Sequence, residues 1–304
     1  MRITLHQNSP HYDLHIHSLW SDGEDDLIKI SKQAKEKGLK GFAVCDHNSF
    51  SPYIDQLISQ AAKYSVKVIK GIEISSQLFL GDGSKVDFHV LGYYLGCDSQ
   101  LLSKALKGTL IGYQNRAEKI LQKCRRLGLP LNYKEINESN RGSYLTRNTI
   151  AEAISKATGA DYKTSLKIAF IEDSENWFMD TFEAIALVKE SGGIPFLAHP
   201  GKHIESLLKK SSGSRYILEK MIHKGLKGIE VFHPAHKESD TVRLHEIAIN
   251  HELLVTGGTD YHGINRAPLT RIGDFGISDN NFAKLEKALK EIEIPTRRNL
   301  KFLD

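Results

Sequence analysis

Short apolar runs alternate with amphipathic stretches through most of the chain. "HYDLHIH" (11–17) alternates as a strand, and "DDLIKISKQAKEKG" (25–38) has helical spacing, with acids in its first turn and Gly38 after its last. "GFAVCDH" (41–47) predicts a more buried strand, "SPYIDQLISQAAKYS" (51–65) a helix opened by Ser51 and Pro52, and "VKVIKGIEIS" (66–75) a third strand. "QLFLGDGSKVDFHVLGYYL" (77–95) reads as a hairpin turning at "GDGS". The pattern then changes. From 99 to about 180 there are helical stretches, plainest in "QNRAEKILQKCRRLG", "TRNTIAEAISKATG" and "DYKTSLKIAF", and no clear strand. Alternation returns with helices at "DTFEAIALVKESGG", "SRYILEKMIHKG" and "SDTVRLHEIAINH". These lie between strands at "IPFLAH", "LKGIEVFH" and "LLVTGGTDYHG". Strand–helix repetition with short links predicts parallel βα units, enough of them for an α/β barrel. The expected division is a first barrel part (11–98), a helical insertion (99–180) and a second barrel part (181–304).

Composition sharpens this picture. The 304 residues are 40% hydrophobic, which suits a globular core. No run approaches the ~18 apolar residues of a membrane span. The start "MRITLHQNSPHYD" lacks the apolar run of a signal peptide, so a cytoplasmic location is expected. Three scattered cysteines argue against a disulfide framework and against a thiolate zinc site. The net charge of +4 is compatible with an anionic substrate and too small to argue nucleic-acid binding alone. The 14 histidines stand out, because several fall at the ends of expected strands.

The stretch "DLHIHSLWSDG" (13–23) shows the chemistry at issue. On a strand, His15 and His17 project to one face while Ile16 turns away. Imidazoles and a carboxylate such as Asp22 are ligands of divalent metals. Taken alone, the stretch reads equally as a half-buried strand running into a turn. In a βα barrel, however, the C-terminal strand ends gather at one mouth. There stand His15 and His17; Asp46 and His47; Glu73; His89; His199; His233 and His236; Asp260 and His262. That is more than one metal needs, and two ions about 3.5–4 Å apart sharing a carboxylate are a device for phosphoester cleavage.

These motifs, in this order, make the chain resemble the PHP (polymerase and histidinol phosphatase) superfamily. They are "DLHIHSLWSDG", "CDHNSF", "GIEIS", "FHVLGYYL", "FLAHPGKH" and "GIEVFHPAHKESDTVRLHEIAINHELLVTGGTDYHG". Within that superfamily the chain is similar to stand-alone phosphoesterases that carry a helical insertion. The resemblance implies a distorted (β/α)7 TIM-like barrel and two or three divalent ions. Manganese is the first expectation, and iron, zinc or magnesium the alternatives. It further implies that His15, His17, Glu73 and Asp260 surround one ion. Glu73 would bridge to a second ion held by His89 and His199, and Asp22, His47 and His262 would hold a third. Ser18 and Thr149 depart from residues frequent in relatives, and the second bears on substrate contacts.

An oxygen bridging two ions would attack phosphorus. His233 and His236 are the candidates by position for the leaving-group proton, alongside a metal-bound water. Asp13 and Asp46 are expected to orient ligands. Arg147, at a helix start, and Arg116 are the candidate substrate contacts. Cys45 is expected to pack, and "GDGS" lacks the pattern of a phosphate loop. His6, His11, His203, His223, His245 and His251 receive no role. The expected substrate is a small phosphorylated molecule: a nucleoside 3′,5′-bisphosphate or monophosphate, or a short 5′-phosphorylated RNA. No membrane and no obligate protein partner is expected. The alternatives are a histidinol-phosphate phosphatase and a PHP-like metal-binding module without turnover.

Overall fold

The computed structural model describes residues 10–80, 83–94, 96, 99–140, 144–171, 177–208, 216–266 and 269–292. The first elements are β1 (Tyr12–Ile16), α1 (Leu27–Lys37), β2 (Gly41–His47), α2 (Ile54–Ala61), β3 (Lys67–Phe79) and β4 (Lys85–Tyr94). The helices α3 (Ser99–Arg126), α4 (Tyr133–Asn140), α5 (Arg147–Thr158) and α6 (Tyr162–Ile168) follow. Then come β5 (Met179–Asp180), α7 (Thr181–Glu190), β6 (Ile194–Ala198), α8 (Ile204–Leu207), α9 (Ile217–Lys224), β7 (Gly228–Phe232), α10 (Glu238–Asn250), β8 (Leu254–Gly257) and α11 (Asp279–Lys290).

Seven strands run in the order β1-β2-β3-β4-β6-β7-β8, and β5 pairs with the far end of β3. β4 is antiparallel to β3 and β6, while the other neighbours are parallel. Isolated bridges Tyr12↔Ile277 and Ile16↔Tyr261 bring the first strand against the chain near the last. The result is a nearly closed barrel, as the alternating pattern predicts.

Three buried clusters build it. Leu14, Ala43, Cys45, Leu91, Tyr93 and Phe196 pack in one, with Phe282, Leu285 and Leu289 of α11 against them. Ile16, Phe42 and Val44 face the other way, onto Leu27, Ile30 and Ala34 of α1. Ile72, Ile74 and Val90 meet α7 and α9 through Ile185, Val188 and Met221. The helices between β4 and β5 have a fourth cluster of their own, centred on Ile120, Ile150 and Ile154.

Local chemistry sets the element ends. Asp26 caps α1 by accepting from Lys29 N–H, and Gly38 ends it at φ +82°. Asp25 is therefore outside the helix, where it accepts from Tyr261 Oη. α2 starts later than expected, at Ile54, because Ser51 Oγ accepts from Tyr53 N–H in the preceding turn. Leu80 N–H donates to Ser84 O at the hairpin; Gly81 and Asp82 lie outside the described residues, as do His6 and Cys97. The sequence reading missed α4, α8, α11 and the two-residue β5; α8 and β5 are short, whereas α11 is a twelve-residue amphipathic helix whose spacing was legible. Among the described residues no helix is long and apolar enough to cross a membrane.

Candidate metal centre

Strand register brings the chemistry together. His47 lies beside Glu73 across β2 and β3, and His89 beside Ala198, next to His199, across β4 and β6. β1 shifts register against β2 between Asp13 and Ile16. Its tip sends His15 and His17 inward while Ile16 packs on α1. The loop carrying Asp22 folds back closely. A Cβ on Gly23 would stand 2.3 Å from His17 O, so only glycine permits the return. Backbone strain marks the same mouth: Asn48 (φ 55°), His199 (φ 28°) and Asp260 (φ 50°) are non-glycine residues in left-handed conformations.

Glu73 is the hub, buried and contacted from five directions. Its Oε1 is 2.8 Å from His89 Nδ1 and 2.9 Å from His199 Nε2. Its Oε2 is 3.1 Å from His47 Nδ1, 3.3 Å from His17 Nε2 and 3.4 Å from His15 Nε2. Asp260 Oδ1 lies 3.1 Å from His17 Nε2 and 3.4 Å from His15 Nε2. Asp22 Oδ1 lies 3.2 Å from His262 Nε2, 3.7 Å from His47 Nε2 and 3.9 Å from His17 Nδ1. All nine residues expected as ligands therefore stand at one mouth.

The donor set fits divalent metal. Ligand atoms held about 2.0–2.2 Å from an ion are about 3.0–3.5 Å from one another, which is the spacing seen here. Several atoms of the ligand residues are buried without a hydrogen bond: His17 Nδ1, Asp22 Oδ1, His47 Nδ1 and Asp260 Oδ1. An orphaned buried polar atom is costly unless something else meets it. The outer ring nitrogens are also fixed as metal-ligating histidines require. His15 Nδ1–H donates to Glu230 Oε1 (3.1 Å), and His262 Nδ1–H donates to Asp260 O (2.8 Å). In each ring Nε2 is left facing the cluster.

Electrostatics agree. Burial alone would raise the carboxyls of Glu73, Asp22 and Asp260, yet the surrounding histidines hold all three well below the carboxylate range. Burial would lower His17, but Asp260 and Glu73 push it up to about 10. Burial dominates at His47 and brings it down to about 3.

Two aspartates hold the scaffold, as expected. Asp46 accepts from Ser18 N–H (2.8 Å), Ser18 Oγ (2.6 Å) and Ser21 Oγ (2.7 Å), which fixes the loop leading to Asp22. Asp13 accepts from Thr259 N–H (3.0 Å), Thr259 Oγ (2.7 Å) and Gly273 N–H (2.9 Å), beside Asp260. Cys45 packs in the core, donating to Leu14 O, and burial pushes its thiol well up.

His233 and His236, the candidate proton donors, are held differently. Ala235 N–H donates to His233 Nδ1 (3.0 Å), and Gly201 N–H donates to His236 Nε2 (3.1 Å). His236 Nδ1–H donates to Val231 O (2.9 Å), so both of its ring nitrogens are engaged, whereas His233 Nε2 faces Asp260 Oδ2 at 3.6 Å. Sequence reading also missed Glu230, which is fully buried and binds both His15 and the His199 N–H (2.7 Å). Its only signal was an acid inside the apolar strand "GIEVF".

Beside the cluster opens a cavity of about 450 Å³. Asp22, His47 and His89 line one side; Arg116, Arg147, Lys163 and Lys167 from α3, α5 and α6 line the other. Arg116 lies over the rings of Tyr113 and Trp177, and Arg147 over Phe170. Thr149 is engaged in capping α5 with Thr146.

Known proteins share this construction. The phosphoribosyl 1,2-cyclic phosphate 1,2-diphosphodiesterase of Eggerthella lenta is 30% identical over 83% of this chain and 94% of its own. The 5′-3′ exoribonuclease of Haemophilus influenzae is 27% identical over 65% of this chain and 73% of its own. A Bifidobacterium adolescentis structure described as a metal-dependent phosphoesterase superposes with a TM-score of 0.74 at 24% identity, covering 90% of this chain and 94% of its own, and so shares the fold. The PHP domain model matches residues 13–292, nearly the whole described chain, and the protein belongs to that family as a metal-dependent phosphoesterase.

Proposed function

We propose that the enzyme hydrolyses phosphate esters of nucleotides: a phosphomonoester of a nucleoside monophosphate or 3′,5′-bisphosphate, or the terminal ester of a short 5′-phosphorylated RNA. The supporting observation is the single cavity in which Asp22, His47 and His89 face four cations. A scissile phosphate at the carboxylate–histidine side leaves room for a second anionic group against Arg147 and Arg116. The segment 99–180 acts as the cap that reads it.

In this reading His15, His17, Glu73 and Asp260 hold one ion; Glu73, His89 and His199 a second; and Asp22, His47 and His262 a third. Manganese is favoured over magnesium by the number of imidazoles. When bound, such ions polarise the phosphoryl group and make water nucleophilic near neutral pH. The chain's own contribution is positioning and charge. Glu230 keeps His15 in one tautomer, and Asp13 and Asp46 fix the loops that carry Asp260 and Asp22. His233 presents Nε2–H as a hydrogen-bond donor to the phosphoryl oxygens, and water in the cavity protonates the leaving alkoxide. Arg147 and Arg116 neutralise charge on the distal group.

A smaller substrate, a cyclic phosphate of phosphorylated ribose, is the second reading, favoured by the 30% identity to the Eggerthella enzyme along 94% of its length. A panel of nucleoside monophosphates, 3′,5′-bisphosphates, 5′-phosphorylated RNAs and phosphoribosyl 1,2-cyclic phosphate, with added Mn²⁺, separates the two. Highest kcat/KM on a nucleotide or RNA supports the first. Activity confined to the cyclic sugar phosphate overturns it.

A further inference from the structure

Asp22 is reached from outside the barrel as well as from within. Asn148 Nδ2–H of α5 donates to its Oδ2 (3.0 Å), and Arg266 Nη1 stands 3.5 Å from that same oxygen. Arg266 is only 6% exposed and donates through Nε to Glu152, one turn further along α5. Both groups approach Oδ2, so Oδ1 is left toward His262, His47 and His17. A terminal carboxylate torsion is otherwise broad, so these partners on one oxygen fix the angle at which the other faces the cluster.

The link from α5 to the barrel rim is polar. α4–α6 and the later turns of α3 bury apolar side chains in a cluster of their own, while Leu102 and Leu106 at the start of α3 pack in the barrel cluster. A cleft of about 780 Å³, lined by Glu152, Tyr162 and Arg266 among others, lies beside α5. α5 itself meets the rim through the atoms that orient Asp22, and Tyr144, just before it, donates to His47 O.

We infer that Asn148, Glu152 and Arg266 are positioning residues through which the seating of α5 sets the affinity of the ion at Asp22, His47 and His262. The inference rests on the ligand assignment proposed above. When α5 is seated, Asp22 Oδ1 is aimed and that position binds metal tightly. When α5 is displaced, the carboxylate is released and this position weakens while the ions around Glu73 are kept. The helices that face the substrate would then also complete the metal centre.

The test is calorimetric titration of the metal-free, full-length protein with Mn²⁺, with bound metal counted by elemental analysis. His262→Ala first identifies the class of site at Asp22. Arg266→Met and Asn148→Ala should each weaken that same class about 10–100-fold and leave the other binding unchanged. A double variant, Glu152→Arg with Arg266→Glu, restores an ion pair between α5 and the barrel but turns a carboxylate toward Asp22; it should not restore the ion. If His262→Ala removes no class of site, the ligand assignment itself fails. If it does, and neither Asn148→Ala nor Arg266→Met weakens that class, the coupling alone is wrong. A uniform loss of all metal, or recovery in the charge-swapped pair, would reduce these residues to structural support and overturn the inference.

Discussion

The barrel mouth and the α3–α6 helices are built on opposite principles. At the mouth, buried histidines and carboxylates crowd together, and Glu230, Asp13 and Asp46 hold them or their loops by hydrogen bonds. The helices have an ordinary apolar core and present cations and aromatic rings toward the cavity. One region holds oppositely charged groups out of water, where they stabilise one another and offer a ready donor set for metal. The other carries adaptable side chains on helices with a core of their own, tied to the barrel through Leu102 and Leu106 of α3. The chemistry can therefore be held constant while the substrate-facing surface varies.

The most severe way to break this contrast is at the hub. Glu73→Gln should lower kcat/KM by about a thousandfold and reduce bound metal, because five histidine contacts converge on that carboxylate. Near wild-type turnover with this variant would refute the metal-centred site. The same crowding makes metal uptake proton-linked. In the metal-free chain the pairing of His17 with Glu73 and Asp260 is complete below its ordinary pKa of about 6.5 and is lost as pH rises through about 10. A metal must displace that proton near neutral pH. Apparent Mn²⁺ affinity should therefore rise with pH over that window, and binding heats should differ between buffers of unequal ionisation enthalpy. Equal heats would contradict it.

The separate cores can be probed next. Ile154→Ala, in the helical cluster, should cost about 2–5 kcal/mol. Faster hydrogen exchange should appear in α3–α6 while β3 and β4 keep their protection. Uniform loss of protection would mean that the two regions unfold as one.

Smaller effects sharpen the division of labour. Arg147→Ala should raise KM about 10–100-fold for a substrate with a second phosphate, with little change for an aryl phosphate. An equal penalty on both would place Arg147 at the scissile group. The smallest effect is expected at His236. Because Gly201 N–H and Val231 O occupy its ring, His236→Gln should reduce kcat less than about tenfold, without moving the pH profile. A loss of a hundredfold or more, the range of a general acid, would restore the proton-donor role.

What the sequence by itself determined is periodic or local. Alternation and helical spacing led to the barrel and the helical segment, and a spacing of two placed His15 and His17 on one face. Ligand-competent residues at successive strand ends were legible because a barrel gathers those ends whatever its side chains. Tertiary structure alone decided contacts between residues far apart in the chain. Glu230 looked like an exception in an apolar strand until His15 and His199 met it across the barrel. Arg266 gave no local signal; its partners lie 114 and 244 positions away, at Glu152 and Asp22. His233 and His236 looked alike in "FHPAH", and only backbone N–H groups from separate turns fixed their rings. Periodicity reports which way a side chain points. Which oxygen or ring nitrogen remains available depends on hydrogen-bond partners that the chain brings together only when folded.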